Sequence, residues 1–312
     1  MPDSATAAQS GLPSTTVRPR VLYVMGAGRS GSTILGVTLG NCPGVFYAGE
    51  LDAWLARSGE PQLSDPEREE FWSAVRASVP DAAPLYGLEP QRAIERSISL
   101  LRVHKWRARR RMRPAYRRVA EELYVAIARQ AGETVIVDSS HYPLRARELQ
   151  ALDGIDLHLL YLARDPQSVV ASFENREVAQ YSKSVLTTNV YLWLTNLLAV
   201  LVFIRHPRER RLLVRYEDFI ADPPAVLRRI LEPRASGAPV AIAPDLGALA
   251  TGIPFQGNRV IRSPQVGLRA GTERPSRRSL VTAVLQLPWR IVLARLQPRT
   301  SPPEEVPRAG GE

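Results

Sequence analysis

Cysteine is all but missing from this sequence. Cys42 is the only one in 312 residues, which excludes an intrachain disulfide framework and a cysteine-rich metal site and fits a reducing compartment, so a cytoplasmic location is expected. The four histidines are scattered and suggest no metal cluster. Lysine is confined to Lys105 and Lys183, so arginine carries nearly all of the basic charge behind a net +10. Such a chain attracts nucleotides, nucleic acid, anionic lipid and acidic saccharides alike, and charge alone selects none of them. A long uninterrupted apolar run is also lacking. Residues 185–204 come nearest, but Thr187, Thr188, Asn189, Thr195 and Asn196 break the run, which favours a buried helix over a membrane span. The Ser/Thr/Ala/Pro-rich residues 1–18 carry no basic start followed by an apolar stretch, so a disordered tail is expected there rather than a secretory signal. A second mobile tail is expected over the Pro/Arg/Gly/Glu-rich residues 297–312.

What remains is enough for a full core, since 45% of the residues are hydrophobic, and residues 19–296 are read as one domain. Residues 20–25 form a β-rich run, 26–31 a glycine-rich turn and 32–39 the start of a helix; further buried strands are predicted at 134–137 and 157–163. Strands alternating with helices predict an α/β fold with a central parallel sheet, whose ligands sit at the carboxyl ends of the strands. The stretch 51–130 is too long for a simple crossover and reads as a helical insertion over that edge.

The turn itself has the chemistry of an anion site. Gly26, Gly28 and Gly31 let backbone amides turn inward, and the helix that follows adds its positive end. Most of the Walker pattern is met, yet the position that needs lysine holds Ser32, and the cation sits earlier, at Arg29. Arg29 with the hydroxyls of Ser30, Ser32 and Thr33 can hold a phosphate or a sulfate. A second candidate element runs from the apolar strand 157–163 into a helix, with Arg164 at the strand end and Ser172 eight positions on. An arginine there can grip a phosphate with two parallel hydrogen bonds, or pair with Asp165.

Together these strings resemble the PAPS-dependent sulfotransferase family, PAPS being 3′-phosphoadenosine 5′-phosphosulfate. Residues 25–33 resemble its 5′-phosphosulfate loop in the Arg-Ser-Gly form of bacterial members and tyrosylprotein sulfotransferases, and Arg164 with Ser172 resembles its 3′-phosphate motif. Arg176 matches a further phosphate-contacting arginine. The sequence Arg215-Tyr216-Glu217-Asp218 is similar to a late strand end whose tyrosine lies near the nucleotide, and Gly257-Asn258-Arg259 with Arg262 is similar to a segment that closes over the 3′-phosphate, although the expected arginine position holds Ile261. The resemblance implies a P-loop-like three-layer sandwich, PAPS as co-substrate without a metal, and in-line transfer of a sulfuryl group to a hydroxyl or amine. The nucleotide contacts it implies are Gly28 to Thr33, Arg164, Ser172, Arg176, Tyr216, Arg259 and Arg262.

Such a transfer needs a base, and two residues offer themselves. Glu50 lies 21 residues after Arg29, at a position similar to the catalytic glutamate of tyrosylprotein sulfotransferases, and would work best if partly buried. His141, in His141-Tyr142-Pro143, resembles the histidine base of cytosolic members and titrates near neutrality. The acceptor, whether small molecule, lipid or saccharide, is not legible, and the insertion is where its selectivity would sit. A kinase using ATP and magnesium is the alternative reading, and a non-catalytic anion- or membrane-binding protein the third. The arginine-rich run 102–118 with Trp106 and Tyr116 is read as a solvated helix face ahead of a peripheral contact with anionic membrane, and no nucleic-acid partner is expected.

Overall fold

The computed structural model describes residues 18–174, 184–232, 242, 245–268 and 279–296. The predicted tails and Arg176 lie outside the described residues, apart from Arg18.

In chain order the elements are β1 (Arg20–Gly26), α1 (Ser32–Gly40), β2 (Val45–Gly49), α2 (Ala53–Ala56), α3 (Pro66–Ala77), α4 (Leu88–Pro90), α5 (Trp106–Ala131), β3 (Val135–His141), α6 (Pro143–Leu149), β4 (Asp156–Ala163), α7 (Pro166–Glu174), α8 (Val185–Arg205), β5 (Arg211–Arg215), α9 (Tyr216–Ala221), α10 (Pro223–Leu231), β6 (Leu249–Ala250), β7 (Gln265–Val266) and α11 (Leu280–Leu296). Strands β1 to β5 form one parallel sheet in the order β2-β3-β1-β4-β5, and β6 pairs with β7 in a small antiparallel ribbon. The predicted α/β fold with a central parallel sheet is therefore present, with helices on both faces.

Alternation along β1 explains the layering, because successive side chains of a strand point to opposite faces. Val21, Tyr23 and Met25 enter one core with Trp54, Trp72, Tyr124 and Phe203, while Leu22 and Val24 enter the other with Leu35, Leu39, Phe219 and Leu227. Being buried on both faces, β1 reads as a continuous apolar run.

Within the five-stranded sheet, two strands lie beyond the three predicted from composition. β5 forms around the apolar residues before Tyr216, and β2 is the strand that the reading missed. It is five residues long, and its signal was the aromatic and β-branched Val45-Phe46-Tyr47 between a Cys-Pro-Gly turn and Gly49. Its register brings the carboxyl ends of β2, β3, β1, β4 and β5 to one edge. The order also reverses beside β1: the chain after β1 goes out to β2, and β4 lies on β1's other side. A crevice at such a reversal is the standard ligand position in an open parallel sheet.

Candidate active site

At the end of β1 the backbone takes left-handed turns at Arg29 (φ 70°) and Gly31 (φ 94°). Gly31 is also the N-cap of α1, where no side chain caps the first turn. The helix amides of that turn are thus offered to an anion rather than to a neighbouring side chain. Glycine is required at 31 for space as well, because a Cβ there would lie 2.4 Å from the ring of Tyr216. Ser30 and Thr33 are buried.

Arg164 emerges where β4 ends. Its Nη1 donates to the Arg29 carbonyl at 2.9 Å, and its guanidinium lies 4.5 Å above the centre of the Tyr216 ring. Asp165 is engaged in capping α7, accepting from the amides of Gln167 and Ser168 at 3.1 and 3.2 Å. Its own amide donates to Glu217 at 2.7 Å, which ties the ends of β4 and β5 together.

These residues enclose a cavity of about 370 Å³ at the carboxyl edge of the sheet. Arg29, Gly31, Arg164, Ser172, Tyr216 and Arg259 all line it, so six of the predicted nucleotide contacts converge on one space. Arg262 does not line it; it sits at the end of the short turn Arg259–Arg262 with its side chain in solvent. Ile261, in the place of the expected arginine, is buried and packs over Gly257. The Arg29 guanidinium is held below its ordinary pKa by burial and by repulsion from Arg259 and Arg164. Three cations crowded together in this way are stabilised by an anion of high charge.

Beside the loop stand both candidate bases. Glu50 follows Gly49, whose φ of 83° and close approach to the Gln256 carbonyl admit no Cβ. The Glu50 amide donates to the Gln256 carbonyl at 2.8 Å, and Gln256 Nε2 donates to the Glu50 carboxylate at 3.4 Å. Burial raises the carboxyl to about 7, helped by nearby Asp138, while Gln256 and Arg29 work against the rise. His141 closes β3 with a left-handed backbone (φ 59°), and its Nε2 lies about 4.0 Å from the point where a Cβ on Gly28 would be. Burial lowers its imidazole to about 4.

Behind them lies a buried polar network. Arg145 donates to Glu95 at 2.8 Å and to Asp138 at 3.3 Å, and Tyr124 donates to Asp138 at 2.5 Å. The Ser140 hydroxyl donates to Asp138 and accepts from the Asp52 amide at 3.0 Å, so the strand bearing His141 is fastened to the loop bearing Glu50.

Three contributors escaped the sequence reading. Tyr191 of α8 accepts from the Gly28 amide at 2.7 Å, Gln256 holds Glu50, and Glu217 holds Asp165. Tyr191 was hidden in the apolar run 185–204. Gln256 adjoins the Gly257-Asn258-Arg259 string, and Glu217 lies within Arg215-Tyr216-Glu217-Asp218, where only the tyrosine carried an expected role.

The sequence matches the model of a family described as the sulfotransferase family over residues 20–233. Among solved structures, the chain is similar to the sulfotransferase domain of the curacin biosynthetic pathway, at 15% identity over 87% of this chain and 98% of that one, with a TM-score of 0.43. It is similar also to the sulfotransferase domain of the Synechococcus PCC 7002 olefin synthase, at 18% identity over 88% and 95%, with a TM-score of 0.46. A sulfotransferase from Mycobacterium tuberculosis shares 19% identity over 71% and 69%, with a TM-score of 0.41. No curated protein sequence matches the chain.

Proposed function

The chain belongs to the sulfotransferase family, and from that premise we propose that it takes the sulfuryl group of PAPS and passes it to a hydroxyl or amine of an acceptor by in-line displacement, in the cytoplasm. The observation that carries this reading is the convergence of Arg29, Arg164, Ser172, Tyr216 and Arg259 on one cavity at the sheet's carboxyl edge, next to a carboxyl raised to about 7.

Each residue then has a task that follows from its chemistry. Arg164 and Ser172 grip the 3′-phosphate, Arg164 being held over the Tyr216 ring by a cation–π contact. Loop residues 29–33 receive the 5′-phosphosulfate on backbone amides, with Gly28 held to Tyr191 beside them and the Ser32 hydroxyl at the head of α1 as a further donor. Arg259 adds a third arginine to the cavity lining. Glu50 takes the acceptor proton as the acceptor oxygen or nitrogen bonds to sulfur. The bond from sulfur to the bridging oxygen breaks, and the electron pair stays with the departing 3′-phosphoadenosine 5′-phosphate. Charge grows on that bridging oxygen, where Arg29 is placed to meet it.

Glu50 is preferred to His141 as the base on energetic grounds. A base whose conjugate acid titrates near the working pH combines a populated basic form with adequate proton affinity. Glu50 at about 7 meets both demands, whereas an imidazole at about 4 is neutral but a weak proton acceptor. Neutral His141 beside Gly28 suits a hydrogen-bonding role toward the sulfuryl oxygens or the acceptor.

Isothermal titration calorimetry with 3′-phosphoadenosine 5′-phosphate, run against ATP with magnesium, tests the donor. Micromolar binding of the first with a weaker response to the second is the expected result. The reverse order would replace this reading with that of a kinase.

A further inference from the structure

Helices α8 and α11 bury polar side chains between them and leave apolar ones exposed. In α8 the polar Thr188, Asn189, Thr195 and Asn196 are buried, while Leu186 is 63% exposed, Val190 61% and Leu197 44%. In α11 Thr282 and Gln286 are buried, while Leu280 is 82% exposed and Val284 71%. The polar side chains meet in a seam between the helices: Asn189 Nδ2 donates to Thr282 Oγ1 at 3.0 Å and Gln286 Nε2 donates to Asn189 Oδ1 at 2.9 Å. Farther along, Trp193 Nε1 donates to the Leu285 carbonyl at 2.8 Å and the ring stands edge-on to Trp289. The order of these contacts shows that the helices run side by side in the same direction.

A helix on the surface of a water-soluble domain turns its apolar stripe to the core and its polar residues to solvent. Here the two neighbouring helices also bury polar side chains in the seam between them, and each leaves leucines and valines exposed, which together make an apolar surface. Of the polar interruptions that argued for burial of 185–204, Thr188, Asn189, Thr195 and Asn196 are buried and Thr187 is exposed; Leu192 between them is buried too, whereas Val190 and Leu194 are exposed. α8 is 21 residues long, and its most apolar 18-residue window has a mean hydropathy of 1.7 and is 39% buried.

We propose that this face docks on an anionic lipid surface, with α8 and α11 lying in the interface. Charge identifies the occupant. Residues 185–204 and 280–289 contain no charged side chain, and the first charged residue in sequence on either side of each stretch is basic: Lys183 and Arg205 around the first, Arg278 and Arg290 around the second. Arginines flanking an apolar face suit anionic headgroups, and Trp193, partly exposed on that face, is of a type favoured at the headgroup boundary. A second copy of this chain would instead bring two bodies of net charge +10 and two sets of the same arginines together. The docking does not depend on sulfuryl transfer, but Tyr191 of α8 reaches the Gly28 amide, so a lipid surface against this face would lie close to the catalytic loop.

Flotation of the full chain with vesicles tests the proposal. Vesicles of phosphatidylcholine with about one third phosphatidylglycerol carry the protein up a gradient, and phosphatidylcholine alone carries roughly tenfold less. The double variant Val190→Glu, Val284→Glu lowers the bound fraction roughly tenfold, each single change gives an intermediate loss, and Leu88→Glu, an exposed leucine on α4, has no effect. Unchanged titration with 3′-phosphoadenosine 5′-phosphate and an unchanged melting temperature show that the variants are folded. Failure of the wild type to float with anionic vesicles would overturn the proposal. So would equal loss in Leu88→Glu, or a wild-type dimer in sedimentation equilibrium that the double variant dissociates while no vesicle-bound fraction exists.

Discussion

The Tyr216 ring is pressed between two functional groups, with Gly31 of the anion loop against one part of it and the Arg164 guanidinium 4.5 Å over its centre. A single aromatic thus couples the loop at the end of β1 to the arginine at the end of β4. Arg164→Lys keeps the charge but loses both the planar fork and the stacking surface. The dissociation constant for 3′-phosphoadenosine 5′-phosphate should rise by about ten- to a hundredfold, with a smaller change in kcat at saturating donor. Calorimetry and a KM-against-kcat comparison check this, and an unaltered dissociation constant would remove Arg164 from the site.

Gly31→Ala sets the new methyl against that ring in a backbone region that alanine adopts at a cost of about 1 to 2 kcal/mol. The variant should lose stability by more than this backbone term and lose nucleotide binding with it. Adding Tyr216→Ala removes the clash and leaves only the backbone cost, so the double variant should be less destabilised than the sum of the single changes. Chemical denaturation of the four proteins measures the coupling. Strict additivity would mean that the ring and the loop do not interact.

The anion loop, Arg164, Ser172 and Tyr216 could be read from the sequence because each is a local string in which the chemistry and the strand-to-helix turn are written side by side. Tyr191 and Gln256 could not, since they reach Gly28 and Glu50 across 163 and 206 positions of sequence. The same limit explains α8. The alternation of polar and apolar residues announces two faces, but which of them turns inward is decided by α11, nearly a hundred positions away. β2 was missed for a different reason: a five-residue strand offers too few alternations to stand out beside the helix-rich stretch that follows.

Turnover should depend on pH in a way that separates the two bases. The Glu50 carboxyl, raised from 4.5 to about 7, is protonated below that pH, so kcat/KM should climb with pH and level off above about 7. A histidine base lowered to about 4 would instead give a rate that is already level above about 4. Glu50→Gln should cut kcat by about a hundredfold or more and abolish the limb near 7, whereas His141→Ala should keep that limb. A wild-type profile flat from pH 5 to 9 would exclude Glu50 as the base. Stability carries the same signature with a defined sign. Between 4.5 and about 7 the folded state holds a proton that the unfolded chain releases, so Glu50 makes the protein less stable as pH rises through that window. Glu50→Gln removes this slope.

The arginine-rich run offers a last discrimination, because part of it faces inward. Arg109, Arg113 and Arg117, spaced four apart on one face of α5, reach the fully buried carboxylate of Glu148 at 3.9, 3.0 and 2.9 Å. Arg107, Arg110 and Arg111 are exposed. One buried carboxylate among three guanidinium groups is held by its partners, and removing its charge leaves like charges facing one another at a protein boundary. Glu148→Gln should therefore cost about 3 kcal/mol in chemical denaturation, while Arg107→Ala and Arg110→Ala stay within about 0.5 kcal/mol. Glu148 lies on α6, which begins two residues after His141, so part of the loss should also appear as weaker nucleotide binding. If the run serves chiefly to bind polyanions, freeing three arginines should lengthen retention on heparin, and the exposed substitutions should shorten it. If it serves chiefly to anchor α6 beneath the site, retention should hardly respond to Arg107→Ala and Arg110→Ala, and only stability should register the loss of Glu148.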